Sequence, residues 1–368
     1  MGIRRRTTRQ IYLAGGLGFT WFTCPFNNRS RAWCDSSCMA STSASVTVGT
    51  ESLAYDALRV LVNWQRERRL KRVQAARTAT ELIAAGGGYY NGDQLGHSLA
   101  LQVDGSIACW GWNGSRQAPP DGILGDFTAV DAGLWHSLAL RRDGSVACWG
   151  RNRDRQAPPA GVPGNFVAIA AGGYHSLAIR HDGSVACWGR NNEGQAPPAG
   201  VPGNFVAIAA GFTQSLALRR DGSVACWGWN LNGQAPLAGV PGNFVAIAAG
   251  ALHSLALRVD GSIACWGGDH AGQAPPDGIP GDFMAIAAGM YHSLALRRDG
   301  SVACWGLNND GQAPPAGVPG NFVAIAAGAG HSLALRRDGS VACWGLNTNG
   351  EAPPAGVSRP FKATQADL

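Results

Sequence analysis

One fifteen-residue phrase returns seven times at a fixed interval of 39 residues, and no other feature limits the fold so tightly. The phrase reads His-Ser-Leu-Ala-Leu-x-x-Asp-Gly-Ser-Val-Ala-Cys-Trp-Gly. It starts at His97, His136, His175, Gln214, His253, His292 and His331. A repeat of this length is one supersecondary unit that cannot bury its apolar face alone, so neighbouring copies must stack. The chain is also turn-rich, with 52 glycines in 368 residues, which argues against a helical bundle. No run of 18 apolar residues exists, so no transmembrane helix is expected.

Each unit reads as β-structure. In the second, residues 137–141 are apolar and end at Arg142-Asp143-Gly144, a tight hairpin signal. Residues 146–149 form the next short strand, followed by a polar loop at 151–155. The stretch 156–164 carries three prolines, which lack the donor a central ladder needs. Residues 166–171 are apolar on both faces, so that strand must lie between neighbours. The expectation is an all-β fold of up-and-down four-stranded blades: a seven-bladed β-propeller. A solenoid is the competing architecture, but it would carry polar capping units. Here the last unit lacks a Phe-Val-Ala-Ile-Ala-Ala strand, while a matching strand lies before the first unit at 80–86. A strand lent from the N-terminal end closes a ring. The expected organisation is a leader over 1–50, a basic amphipathic helix over 51–78, the propeller over 79–361 and a tail over 362–368.

The pattern Ala-Gly-x-x-His-Ser-Leu-Ala-Leu…Asp-Gly…Cys-Trp-Gly-x-Asn-x-x-Gly-Gln resembles the repeat of the regulator of chromosome condensation family. The resemblance covers residues 79–361 with seven copies in register. It implies a propeller and, from the founding member, nucleotide exchange on the GTPase Ran together with chromatin binding. Exchange there depends on a wedge-like insertion in one blade, whereas units one to six here are each 39 residues. Bacterial inhibitors of β-lactamase share the architecture and bind through an aromatic-rich face.

Seven internal copies can be compared with one another, and variation concentrates in two places. One is the residue pair before the histidine. The other is the loop after Cys-Trp-Gly, as at 112–116 and 151–155. In an up-and-down blade these loops share one face of the disc. That face carries Trp112, Trp135, Tyr174, Phe212, Trp229 and Tyr291, with Arg116, Arg151, Arg153, Arg155 and Arg190 on the first three blades. Trp, Tyr and Arg most often dominate binding energy. Ten residues, 87–96, also separate Gly86 from His97 where other units have two, which adds Tyr89 and Tyr90 to the same face. The expected function is therefore a non-enzymatic scaffold that binds a protein partner, one with an acidic segment, through these residues. Exchange on, or regulation of, a small GTPase, with chromatin association, is the alternative.

No catalytic or phosphate-binding motif occurs, and identical repeats are poor material for an asymmetric catalytic constellation. No cofactor or metal is implied. The histidines read as hydrogen-bonding groups at a strand start. The seven repeat cysteines read as buried thiols, which favours a reducing, cytoplasmic or nuclear, setting. Charge is uneven: residues 1–78 hold 13 Lys+Arg against 4 Asp+Glu, and the remainder 17 against 20. Nucleic-acid binding by the propeller is thus not expected. Arg4, Arg5, Arg6 and Arg9 precede a weakly apolar stretch that resembles a transit peptide or poor secretory signal; a disordered leader or a wrongly assigned start is the other reading. Membrane contact is expected only through the basic helix around 66–77.

Overall fold

The computed structural model describes residues 81–90, 93–358, 361 and 362, with ten scattered positions before 81. The chain divides into two compact units, Met1–Trp64 and Gln65–Leu368. In the first, Thr8–Arg9 pairs antiparallel with Cys24–Pro25. The expected leader and most of the basic helix lie outside the described residues. Within 51–78, the described positions Val60, Glu67, Leu70, Lys71 and Gln74 are helical.

The second unit holds seven antiparallel three-stranded sheets in chain order, the seven-bladed propeller that the repeat predicts. Blade 1 comprises Ile83–Tyr90, Asp93–Leu101 and Ile107–Gly111. Blade 2 comprises Phe127–Ala132, His136–Arg141 and Val146–Gly150. Blades 3 to 7 repeat blade 2, starting at Phe166, Phe205, Phe244, Phe283 and Phe322. The expected fourth strand is reduced to one residue. In blade 2, Val162 exchanges both backbone hydrogen bonds with Val146, at 2.8 and 2.9 Å. Pro158, Pro159 and Pro163 flank it without donors, so pairing cannot spread.

Strand alternation sets how blades stack. In His136–Arg141 the side chains of Leu138 and Leu140 point one way and Ala139 the other. Leu138, Leu140, Val146 and Cys148 of blade 2 pack with Phe166, Ala178 and Ala186 of blade 3. A large face therefore meets a small face with one phenylalanine, and the same cluster recurs around the ring.

Ring closure obeys the same rule. The N-terminal strand Ile83–Tyr90 supplies the inner strand of blade 1 but lacks the leading phenylalanine. Phe361, from beyond blade 7, takes that place. It bridges Gln102, as Phe166 pairs with Arg180 in blade 3. Lys362 N–H then donates to Leu101 C=O at 3.0 Å. Phe361 is 3% exposed and joins the seam cluster with Leu333, Leu335, Val341 and Cys343 of blade 7.

A polar relay also crosses the blade interfaces. Ser137 Oγ donates to the Gln117 carbonyl of blade 1 at 2.9 Å, so it must accept from His97 Nε2–H at 3.1 Å. Trp149 Nε1 donates to the same carbonyl at 2.8 Å. The relay fixes the Nε2–H tautomer of all six histidines, and burial drives five of them down to about 3 and His331 to about 4. Gln214, the seventh, instead donates from Nε2 to Gly250 C=O at 2.8 Å. At the seam His331 pairs with Ser98 at 2.9 Å, and Glu351 stands where the other blades have glutamine. Its carboxyl is buried and pushed above its ordinary range, chiefly by desolvation.

Two predictions follow from this packing. Replacing Phe361 by Ala should cost about 3 kcal/mol or more in urea unfolding, as for a core phenylalanine, and match Phe166→Ala; an unchanged midpoint would disprove closure at Phe361. The second concerns pH. The histidines bind protons more weakly when folded, so their contribution is full above about 6.5 and is lost as pH falls towards 3. Glu351 has the opposite sign, its contribution fading as pH rises through its elevated range. Glu351→Gln should therefore raise the unfolding midpoint at pH 8 more than at pH 4, and an equal rise at both would refute the assignment.

Candidate functional site

The two variable loops of each blade meet through the backbone. Arg151 N–H donates to Trp135 C=O at 2.8 Å, Arg190 N–H to Tyr174 C=O at 2.8 Å and Trp229 N–H to Thr213 C=O at 2.9 Å, and the bond recurs in blades 1, 5, 6 and 7. Both loops therefore lie on one face, at the strand ends opposite the Asp-Gly turns. Each loop after Cys-Trp-Gly is held by two fixed residues. In blade 2, Asn152 Oδ1 accepts from Ala157 N–H at 2.9 Å and Gln156 Oε1 from Asp154 N–H at 3.0 Å. Equivalent bonds frame the other loops, with Asp269 in place of asparagine in blade 5 and Glu351 in place of glutamine in blade 7. Between those anchors the residues vary, except that the last is glycine in blades 3 to 7.

The aromatic side chains on this face interlock between blades. Trp112 of blade 1 meets Trp135 of blade 2 edge-on, with centroids 5.1 Å apart. Tyr174 of blade 3 meets Phe212 of blade 4 edge-on at 5.5 Å. The guanidinium carbons of Arg151 and Arg190 each lie 5.6 Å from the Tyr174 ring centroid. Trp112, Tyr174, Phe212, Trp229 and Tyr291 are half-buried, while Arg153 and Arg155 are exposed. Trp135 is 3% exposed, so it braces the face from below rather than offering a surface to a partner.

The extra segment 87–96 lengthens the first hairpin of blade 1, pairing Gly87 with Gly96 out to Tyr90 with Asp93. Tyr89 and Tyr90 are placed by backbone register only. Leu95 of this hairpin packs with Leu134 and Trp135 of blade 2, Met290 of blade 6 and Ala329 of blade 7. The insertion thus lays an apolar residue across the ring centre. Sequence reasoning placed it on the right face but missed this packing; the single leucine in an otherwise polar insertion was the available signal.

The repeat thiols, Asp131 and the turn aspartates are committed to the framework. The seven repeat thiols are free, and burial pushes them up to about 12. Asp131 of blade 2 lines the central channel, where burial lifts its carboxyl to about 6. It accepts backbone N–H bonds from Ala132 at 2.9 Å and from Ala171 of blade 3 at 2.8 Å, and so ties two blades together. On the opposite face, Arg141, Arg219, Arg258, Arg297 and Arg336 lie 5.4–5.9 Å from the phenylalanine rings of their own blades. The turn aspartates accept from serine, as Asp143 does from the Ser145 hydroxyl at 2.6 Å. Arg142 and Arg298 form ion pairs there with Asp126 and Asp282, at 2.6 and 3.0 Å.

Comparison with known proteins agrees with this geometry. The regulator of chromosome condensation (RCC1) repeat matches residues 127–156, 166–195, 205–234, 244–273, 285–312 and 322–351, which are blades 2 to 7. The chain belongs to this family. The ectodomain of the Arabidopsis thaliana receptor kinase ACR4 is similar in structure, with TM-score 0.59 and 25% identity over 74% of this chain and 98% of that one. The ectodomain of the Physcomitrella patens receptor kinase CR4 is similar at TM-score 0.57 and 25% identity, covering 72% of each chain. Prp20p of Saccharomyces cerevisiae, described with its binding to Gsp1p and histones, shares the fold at TM-score 0.55 and 22% identity, over 68% of this chain and 81% of that one. No curated protein sequence matches significantly.

The placement of Trp135 separates brace from surface. Trp135→Ala should cost about 3–5 kcal/mol of unfolding free energy, whereas Arg153→Glu should change it by less than about 0.5 kcal/mol. Equal effects in urea titrations would mean that the indole does not hold the face together.

Proposed function

We propose that this RCC1-repeat propeller is a non-enzymatic interaction module that binds a protein partner through the variable-loop face of blades 1 to 4. One observation carries the reading. Every blade holds its loops with the same backbone bonds and equivalent anchors, Asn and Gln in all but blades 5 and 7, and the other loop residues differ. On four consecutive blades the differences bring together half-buried aromatic rings and arginines, the residue types that dominate binding hot spots. Commitment of the histidines to the blade relay, and of the thiols to the core, supports the non-enzymatic part. The opposite face offers less, because five of its arginines lie over phenylalanine rings of their own blades and Arg142 and Arg298 pair with Asp126 and Asp282.

The test is affinity capture from lysate with the full chain and two variants of confirmed fold. One variant carries Tyr174→Ala, Trp229→Ala and Arg153→Glu. The other carries Arg142→Ala, Arg220→Ala and Arg337→Ala on the opposite face. A partner retained by the parent and the second variant, and lost at least tenfold from the first, is the expected result. Loss from the second variant alone, or from neither, would overturn the reading. Capture of a small GTPase, the class of partner that Prp20p binds, would extend it to nucleotide exchange or its regulation.

A further inference from the structure

We infer that blades 1 to 3 carry a docking site for an extended acidic segment of the partner, rich in Asp and Glu, gripped by arginines of which two sit where the fold prefers glycine. This deepens the reading of the variable face given above and rests on it.

The observation is conformational. The last position of the loop after Cys-Trp-Gly is glycine in blades 3 to 7, with φ between 74° and 80° at Gly194, Gly233, Gly272, Gly311 and Gly350. In blades 1 and 2 the same position is Arg116 and Arg155, both at φ 65°, and these are the only non-glycine residues with positive φ among the described residues. A left-handed backbone disfavours any side chain, most of all where glycine fits freely. A Cβ built on each of those five glycines meets nothing within 4 Å, so the penalty is torsional and the side chain projects into open space. Both arginines are exposed. The fold bears a backbone cost for two exposed arginines, of which Arg155 also borders a cleft with Pro158, Phe166, Arg180 and Trp188. Strain of this kind, held against a cheaper residue, marks sites of function.

Charge and geometry agree on the occupant. The loops after Cys-Trp-Gly in blades 1 to 3 carry five arginines against Asp154 and Glu193, and the blade 1 hairpin adds Asp93. The loops at 229–233, 268–272, 307–311 and 346–350 carry no Lys or Arg, and two aspartates. The positive field is therefore confined to one side of the face. Within it, stacking on Tyr174 holds Arg151 and Arg190 in place, so less side-chain freedom is lost when they meet a carboxylate. Arginine binds carboxylate oxygens in bidentate fashion, and a row of them suits an extended acidic strand. At the blade 4 end, Leu231 is 81% exposed beside the half-buried Trp229, an apolar contact for a residue flanking the acidic run.

The test uses the full chain and a fluorescein-labelled ten-residue peptide of Asp and Glu with one leucine at its end. In fluorescence anisotropy the parent should bind the peptide, and the affinity should fall as salt rises. The Arg116→Gly, Arg155→Gly variant should bind about tenfold more weakly while its thermal midpoint stays equal or rises, because glycine relieves the φ strain. A purely structural role for the arginines would instead lower the midpoint and leave binding unchanged. Absence of peptide binding, unchanged affinity in the variant, or equal competition by inorganic phosphate would each overturn the acidic-segment assignment. Partner capture that depends on Tyr174 and Trp229 but survives the glycine variant would leave the interaction face standing and remove only this inference.

Discussion

The structure depends on one buried relay: histidine Nε2–H to serine Oγ, and serine O–H to a glutamine carbonyl contributed by the preceding blade. Its members come from two adjacent blades, the histidine and glutamine from one and the serine from the next, whose tryptophan donates to the same carbonyl. A hydrophobic contact is indifferent to small slides, whereas this chain of directed bonds is not. Buried donors and acceptors cost much more unpaired than they gain when paired. Stacking seven almost identical sheets on apolar faces alone would leave the register between blades weakly specified. The relay supplies that register, which explains why its four residue types recur at 39-residue spacing while loop residues drift.

Departures from the relay show how much variation the ring tolerates. Gln214 carries an amide in place of the imidazole, and that amide donates to the Gly250 carbonyl instead of the next serine. Glu351 keeps the backbone carbonyl that the seam requires, since Ser98 and Trp110 donate to its main chain at 3.0 Å. Only its side chain is the wrong acid for a site that elsewhere holds an amide, and burial answers by holding the proton on more tightly. Closure thus preserves backbone geometry and lets side-chain chemistry change. Phe361 follows the same logic, because the seam reproduces the packing of an ordinary connector with residues from the two ends of the propeller.

Much of this was legible in sequence for a simple reason. Seven internal copies act as their own comparison, so the hairpin turns, the proline-bound connector and the shared face of the variable loops follow from periodicity and turn chemistry. What escaped were properties that depend on through-space neighbours. A fourth strand was expected, but prolines on both sides cut it to a single bridge. Trp135 read as surface because its position varies, yet variation there accompanies burial under Leu134, Leu95 and Trp112. The role of Phe361 was hidden because its partner, Gln102, lies near the far end of the propeller sequence.

In the proposed reading, fold and recognition are written into different positions of the same repeat, and this division makes the asymmetry of the face interpretable. Glycine at the end of the loop in blades 3 to 7 is part of the framework, in that every blade needs a left-handed backbone there to return the chain to its anchor. Most substitutions at the intervening positions are neutral for stability, so their identity says little alone. Arginine at the framework position is different, since it opposes the fold's own preference. It does so in two adjacent blades that also hold Arg151 and Arg153. Drift in a recently duplicated array would scatter such residues around the ring and among residue types. Confinement of one residue type to one arc, against a backbone cost, is the pattern expected of the acidic-segment docking proposed above.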